Sequence, residues 1–325
     1  MRVFLAILLA AAVLLKPLHS PVAATQDFNS WLDDLRQEAS RHGISEKLIE
    51  EALPDTLTPD ARVLRLDRRQ PEDSVSFMQY RKNVLTKSRL EEGRLMMKRH
   101  RTLLNRIGRD YGVEPRYIVA LWGVETNFGK NAGRFEVVPA LATLAYDGRR
   151  SVFFRGELFK ALRIVDQGNI GLREMKGSWA GAMGQCQFMP TSFEKFAEDY
   201  NQDGKRDIWN TEADVFASAA RYLSSGGWKA GQPWGHRVIL PISFDNKLIG
   251  MNFKKPLKFW NDAGVRLLNG KRVPSEGADL ASVVQPGGEG YKTYIVYDNY
   301  RGLLKWNASL YFATVVGFFA DGLES

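Results

Sequence analysis

A mainly helical α+β protein is what this sequence predicts, and three observations carry the prediction. Apolar residues at helical spacing fill most of residues 27–232, with glycine-rich loops between the helices of 110–232. Short runs rich in valine, isoleucine and tyrosine then cluster between 236 and 300. The chain closes on "SLYFATVVGFFADGL" (309–323), an apolar stretch of helical length. With 325 residues, 44% hydrophobic and 25% charged, the chain can bury one large core or two smaller ones.

Residues 1–24 read as a secretory signal peptide. Arg2 supplies a short positive region, "VFLAILLAAAVLL" (3–15) an apolar run, and Val22 and Ala24 the −3 and −1 positions of a cleavage site. That run is shorter than the ~20 residues a spanning helix needs. No cysteine adjoins the cleavage site, so the expectation is a periplasmic protein released by a cleaved signal, not a lipoprotein. Loss of Arg2 and Lys16 lowers the formal charge from +8 to +6. A basic exported protein suits an anionic partner, such as a carboxylate-rich wall polymer or a membrane surface. No nucleic-acid motif is present. The single cysteine, Cys186, excludes an intrachain disulfide, and none of His19, His42, His100 and His236 has the spacing of a zinc site.

The mature chain, 25–325, divides into a helical N-terminal part (27–107), a core (108–232), a small strand-containing insertion (236–300) and a closing helix (305–323). "DFNSWLDDLRQEASRHG" and "SEKLIEEAL" predict two short helices, the first ended by Gly43 and the second N-capped by Ser45. Pro54 and Pro59 bracket a linker. Residues 74–107 are helical and basic, with Leu90, Met97 and Leu104 on one apolar stripe beneath a solvated face. "DVFASAARYLSSGGW" (214–228) is a helix stopped by Gly226 and Gly227. Strands are expected at 236–244, near 249–253 and at 291–298.

One carboxylate interrupts the most apolar helix. Pro115 suits a first turn, and Ile118, Leu121, Trp122 and Glu125 follow at i, i+3, i+4 and i+7. A Glu on that buried face, close to a helix C-terminus, is expected to hold its proton at higher pH than usual. Such a group fits a general acid. It equally fits a structural ion-pair partner or a side chain reaching solvent from the helix end, and the spacing alone does not choose.

The surrounding motifs do. "GVETNFG" (123–129), "ALATLAYDGRR" (140–150), "KGSWAGAMGQCQFMPTSF" (176–193) and "DYNQDGKRDIW" (199–209) resemble the B-type lytic murein transglycosylases in order and spacing, from about residue 27 to the C-terminus. The resemblance implies a lysozyme-like helical domain with added N-terminal helices. It implies cleavage of the β-1,4 bond between N-acetylmuramic acid and N-acetylglucosamine, without water, to a 1,6-anhydro product. Glu125 matches the single acid/base, and no cofactor is implied for catalysis. Glu136, Asp147 and Glu157 are the neighbouring acids that a hydrolytic, two-carboxylate muramidase would need instead. A non-catalytic wall-binding scaffold is the third alternative.

By the same resemblance, Ser178 and Gln187 line the cleft beside Glu125, in a loop whose glycines let backbone approach a sugar. Arg149 and Arg150 match an arginine pair suited to glycan or peptide carboxylates. Tyr80 matches a cleft tyrosine, and Asn307 an active-site asparagine, although it could also cap the last helix. Trp306 and Phe312 stand where better-known members have tyrosines. Thr191 and Glu194 fit a capping box. Asp199, Asn201, Asp203, Lys205 and Asp207 fall at positions 1, 3, 5, 7 and 9 of an EF-hand-like loop, with Gly204 at 6 and Asn210 at 12. The family completes the site with a later aspartate, here Asp214, which implies a weak structural Ca²⁺. The expected partners are peptidoglycan strands and other cell-wall enzymes, and the expected state is monomeric.

Overall fold

The structure, a computed structural model, describes residues 27–68, 75–274 and 279–324. The signal peptide expected at 1–24 lies outside them. In chain order the helices begin with α1 (Phe28–Arg41), α2 (Glu46–Ala52), α3 (Ala61–Arg68), α4 (Phe77–Val84), α5 (Lys87–Arg99), α6 (Arg101–Tyr111) and α7 (Pro115–Thr126). Then come β1 (Phe135–Glu136), α8 (Val137–Tyr146), α9 (Ser151–Asp166), β2 (Lys176–Gly177), α10 (Pro190–Phe196) and α11 (Glu212–Ser225). The last part holds β3 (Gly235–Ile239), β4 (Lys255–Pro256), α12 (Leu257–Asp262), β5 (Arg266–Leu267), β6 (Leu280–Val284), β7 (Thr293–Val296), α13 (Asp298–Trp306) and α14 (Leu310–Glu324).

The described residues form two compact units, each discontinuous in sequence. The first comprises residues 27–68 and 125–218, the second residues 75–124, 219–274 and 279–324. The boundaries fall inside α7 and α11. No single helix among the described residues is long and apolar enough to cross a membrane.

In the first unit, Asp27 caps α1 by accepting the Asn29 and Ser30 N–H groups, and Gly43 follows in the left-handed region. Ser45 occupies the N-cap position of α2 but does not cap it. Its hydroxyl donates to Asp166 on α9 at 2.5 Å, a long-range partner in place of the local one. Helix α3 falls where the sequence reading ran from a linker straight to residue 74. It buries Val63 and Asp67, and the carboxylate among the buried positions disguises its period. Helix α8 is buried from Val137 to Ala145 except at Pro139.

In the second unit the basic stretch expected as helical is three helices. Ser76 and Thr86 cap α4 and α5, and α6 ends on left-handed Gly112. The α7 residues Tyr117 to Trp122 are all buried, as the apolar run requires. A five-stranded antiparallel sheet has the order β4-β6-β7-β3-β5. Val238, Val265, Val283, Ile295 and Tyr297 pack with Trp260 beneath it. The strand expected near 249–253 is replaced by a 3₁₀ turn and a single parallel bridge from Ile249 to Val283. Strand β6, absent from the sequence reading, supplies the central pairing to β7.

Candidate active site

Glu125 lies one residue from the end of α7 and is 8% exposed. The chain then turns through three successive left-handed residues, Asn127 (φ 51°), Phe128 (φ 60°) and Gly129 (φ 79°). For the two non-glycine residues this costs about 1 kcal/mol each. Local bonds offset the cost. Thr126 Oγ1 accepts the Gly129 N–H at 3.0 Å and donates to the Gln185 carbonyl at 3.2 Å, and the Asn131 N–H donates to the Thr126 carbonyl at 2.8 Å.

Opposite this turn, β1 pairs with β2, and bridges Gly177–Met183 and Met183–Phe188 continue the ribbon. Ser178 is buried, and its Oγ accepts the Ala180 and Ala182 N–H groups at 3.3 and 3.1 Å. Its hydroxyl hydrogen is left to donate. Gln187 is 5% exposed, with φ 50°. Its Nε2 donates to the Ala132 carbonyl at 3.0 Å and the Gly184 carbonyl at 2.8 Å. Two carbonyl acceptors fix the amide orientation, and Oε1 remains a buried acceptor with no partner among the described residues. Of the glycines here, Gly177 and Gly184 approach backbone and Gly181 approaches the Leu141 side chain. A Cβ on Gly177 would lie 2.1 Å from the Ala182 carbonyl oxygen, and one on Gly184 would lie 2.6 Å from that of Ile208.

The three alternative carboxylates of this unit are engaged elsewhere. Glu136 pairs with Lys176 at 2.8 Å, and Asp147 with Arg68 at 3.2 Å. Buried Glu157 accepts the Thr191 N–H at 2.8 Å and also the Thr191 hydroxyl. The capping box expected from Thr191 and Glu194 is therefore not formed: Met189 holds the N-cap position of α10, and Glu194 pairs with Arg163 at 2.9 Å.

Arg149 and Arg150 converge on Asp67 of α3, which is 2% exposed. Arg149 Nε donates to Asp67 Oδ2 at 3.1 Å, and an Arg150 terminal nitrogen donates to Oδ1 at 2.7 Å. Two guanidiniums against one carboxylate leave a net positive charge, with the Arg149 side chain 53% exposed.

The remaining sugar-contact candidates belong to the second unit. Tyr80 is buried, its ring 6.0 Å from that of Tyr311. Trp306, half-buried, packs 4.8 Å from Tyr222. Asn307 is buried, and its Oδ1 accepts the Ser309 N–H at 3.0 Å. Ser309 caps α14 by accepting the Phe312 N–H at 3.4 Å, so Asn307 is not the N-cap. Phe312 requires correction as a substrate contact: it is 2% exposed, on the buried stripe with Val315, Val316 and Phe319. Tyr311, one position earlier, is half-buried and lies 5.3 Å from Phe77 as well as near Tyr80. Helical period within 309–323 would have separated these two aromatics.

In the acidic loop, Asp199 accepts the Asp203 and Gly204 N–H groups at 3.1 and 2.8 Å, and Asp203 accepts the Lys205 N–H at 2.9 Å. Asp207 Oδ1 accepts the Trp209 and Asn210 N–H groups at 2.9 Å. Asp214 is fully buried and accepts the Tyr200 and Asp207 N–H groups, both at 2.8 Å. Burial raises its pKa, against the effect of those backbone bonds. Among the described residues no group of three or more His, Cys, Asp or Glu side chains is arranged to hold a metal ion.

Cys186 is buried, and its Sγ lies 3.3 Å from the Val215 carbonyl. Burial first, then the charges of Glu125 and Asp214, push its thiol far above the usual range. The folded protein is therefore expected to resist iodoacetamide at pH 8 and to take up one adduct after denaturation, read by intact mass.

The order and spacing of these groups meet their match in known proteins. The profile of the transglycosylase SLT domain covers residues 27–321. The chain belongs to the transglycosylase SLT domain family. It is 28% identical over 319 residues, 93% of this chain and 86% of the relative, to membrane-bound lytic murein transglycosylase B of Escherichia coli K12. It is similar to a crystal structure of SltB3 from Pseudomonas aeruginosa in complex with NAG-anhNAM-pentapeptide, at TM-score 0.89 and 40% identity, over 92% of this chain and 80% of that one. It is also similar to the Escherichia coli lytic transglycosylase Slt35 in complex with calcium, at TM-score 0.79 and 27% identity, over 93% and 94% of the two chains.

Proposed function

We propose that this lytic transglycosylase cleaves the β-1,4 bond of peptidoglycan between N-acetylmuramic acid and N-acetylglucosamine, with Glu125 as both acid and base. Glu125 gives its proton to the glycosidic oxygen as the bond from C1 to that oxygen breaks. The substrate's acetamido group stabilises the positive charge at C1. The muramyl 6-hydroxyl then attacks C1 and returns its proton to Glu125, which closes the 1,6-anhydro ring and restores the acid. The nucleophile is intramolecular, so positioning supplies much of the rate.

The observation that carries this reading is the commitment of Glu136, Asp147 and Glu157 to structural partners beside a buried Glu125 on an apolar helix. A two-carboxylate hydrolysis would need one of them released. Gln187 adds support, because a buried amide oxygen with no partner among the described residues suits an O–H or N–H donor of a bound sugar. In the same unit the Ser178 hydroxyl and the exposed edge of Arg149, with Arg150 behind it, are the proposed contacts to glycan and peptide carboxylates. In the other unit they are Tyr80, Trp306, Asn307 and, in place of Phe312, Tyr311. The complex of SltB3 with an anhydromuramyl peptide agrees with the product class. Mass spectrometry of digested sacculi tests the reading: 1,6-anhydromuramyl ends are expected, and reducing muramic acid ends would overturn it.

The reading places the enzyme in the periplasm, acting on glycan strands. It also includes a weak structural Ca²⁺ at the acidic loop. Asp199, Asn201, Asp203 and the Lys205 carbonyl are hard oxygen donors of the kind this ion takes. Asp207 and Asp214 complete the proposed set, and all four aspartates accept backbone N–H groups that shape the loop. Millimolar Ca²⁺ is expected to raise the melting temperature of the wild type and not of Asp199→Ala. Equal shifts in both would remove the site.

A further inference from the structure

The proposed acid sits in the least secure part of its helix. The last turn of an α-helix lacks onward hydrogen bonds, and helix ends fray. Glu125 is one residue from the end of α7. General acid catalysis requires hydrogen-bond reach of the glycosidic oxygen, about 3 Å, and a misplacement of about 1 Å costs on the order of 100-fold. Something must hold this turn.

We infer that Thr126 is the positioning residue for Glu125, acting through a two-ended hydrogen bond that locks the helix end to the 177–188 ribbon. The proposal rests on the reading of Glu125 as the acid. Thr126 is fully buried. Its hydroxyl oxygen accepts the Gly129 N–H at 3.0 Å, which draws the left-handed turn back onto the helix end. The same hydroxyl donates to the Gln185 carbonyl at 3.2 Å. One small side chain must donate and accept at once, which a hydroxyl does and an isosteric valine does not.

Both ends of that bond are anchored. Gln185 is held by its N–H to the Ile208 carbonyl at 2.8 Å and by its Nε2 to the Trp209 carbonyl at 2.7 Å. Its side chain packs on Gly129, where a Cβ would lie 2.4 Å from Gln185 Oε1. On the turn side, Gln187 Nε2 reaches the Ala132 carbonyl at 3.0 Å. The ribbon is thus a fixed wall. Thr126 is the side chain, immediately after Glu125, that ties the acid's backbone to it.

The test measures kcat and KM on purified peptidoglycan for wild type, Thr126→Val, Thr126→Ser and Glu125→Gln, well below each melting temperature. Thr126→Val is expected to lower kcat by about 100-fold with KM little changed, and Thr126→Ser to restore most of it. A folded Thr126→Val with near wild-type kcat overturns the inference, as does a loss confined to KM or a Thr126→Ser as slow as the valine variant. Should the valine variant not fold, Thr126→Cys, with its weak donor and acceptor, is compared with Thr126→Ser. A slower cysteine variant is expected, and equal rates overturn the inference. Inactive Glu125→Gln beside active Thr126→Val sinks the role of Thr126 alone, whereas active Glu125→Gln sinks the reading of the acid itself.

Discussion

Glu125→Gln is expected to leave a folded protein that still binds sacculi and releases anhydromuramyl products about 10³-fold more slowly. The amide nearly matches the carboxyl in volume, so the apolar end of α7 keeps its packing. What disappears is the transferable proton. With Glu136, Asp147 and Glu157 paired to Lys176, Arg68 and Thr191, none of these three acids is poised to substitute. Sacculus co-sedimentation and product mass spectrometry separate binding from cleavage. Residual cleavage within tenfold of wild type would shift the acid to another residue.

The second large effect is on stability. Gly133 has φ 98°, and a Cβ there would lie 2.0 Å from the Gly177 carbonyl oxygen and 2.7 Å from the Ser178 nitrogen. Both are backbone atoms of the ribbon, so relief requires moving a strand. Gly168 is also left-handed (φ 76°), but its Cβ would meet nothing within 4 Å. Gly168→Ala should cost about 1 kcal/mol, the conformational term alone. Gly133→Ala should cost about 3 kcal/mol or more, because overpacking is added. Urea unfolding midpoints compare them, and similar losses would show that the 133–177 approach is soft.

How much was legible in the sequence follows from where each residue finds its partner. Helix α7 was readable, because its apolar positions and Pro115 are local signals. The acid within it stood out for the same reason. Helix α3 was hidden because its buried face includes Asp67, and that carboxylate is explained only by Arg149 and Arg150, more than 80 positions later. Ser45 and Thr191 misled in the same way. Each has the local chemistry of a cap, but a carboxylate from distant α9, Asp166 or Glu157, takes the side chain. Phe312 is a different case. Matching it to a relative's tyrosine ignored the helical stripe that buries it, and Tyr311 is the aromatic left at the surface. In the 177–188 ribbon, Gly177 and Gly184 approach backbone and Gly181 the Leu141 side chain, and close packing of this kind leaves no trace in sequence that separates it from room for a ligand.

Cys186 ends with a practical meaning. It is the single cysteine of the chain, buried and held as the neutral thiol. A chain whose native thiol is silent is a ready host for spectroscopic labels. One cysteine introduced at a surface site of either unit would be the reactive one, with no need for a cysteine-free background. Pairs of such labels, one per unit, would report distances in solution during turnover on intact sacculi.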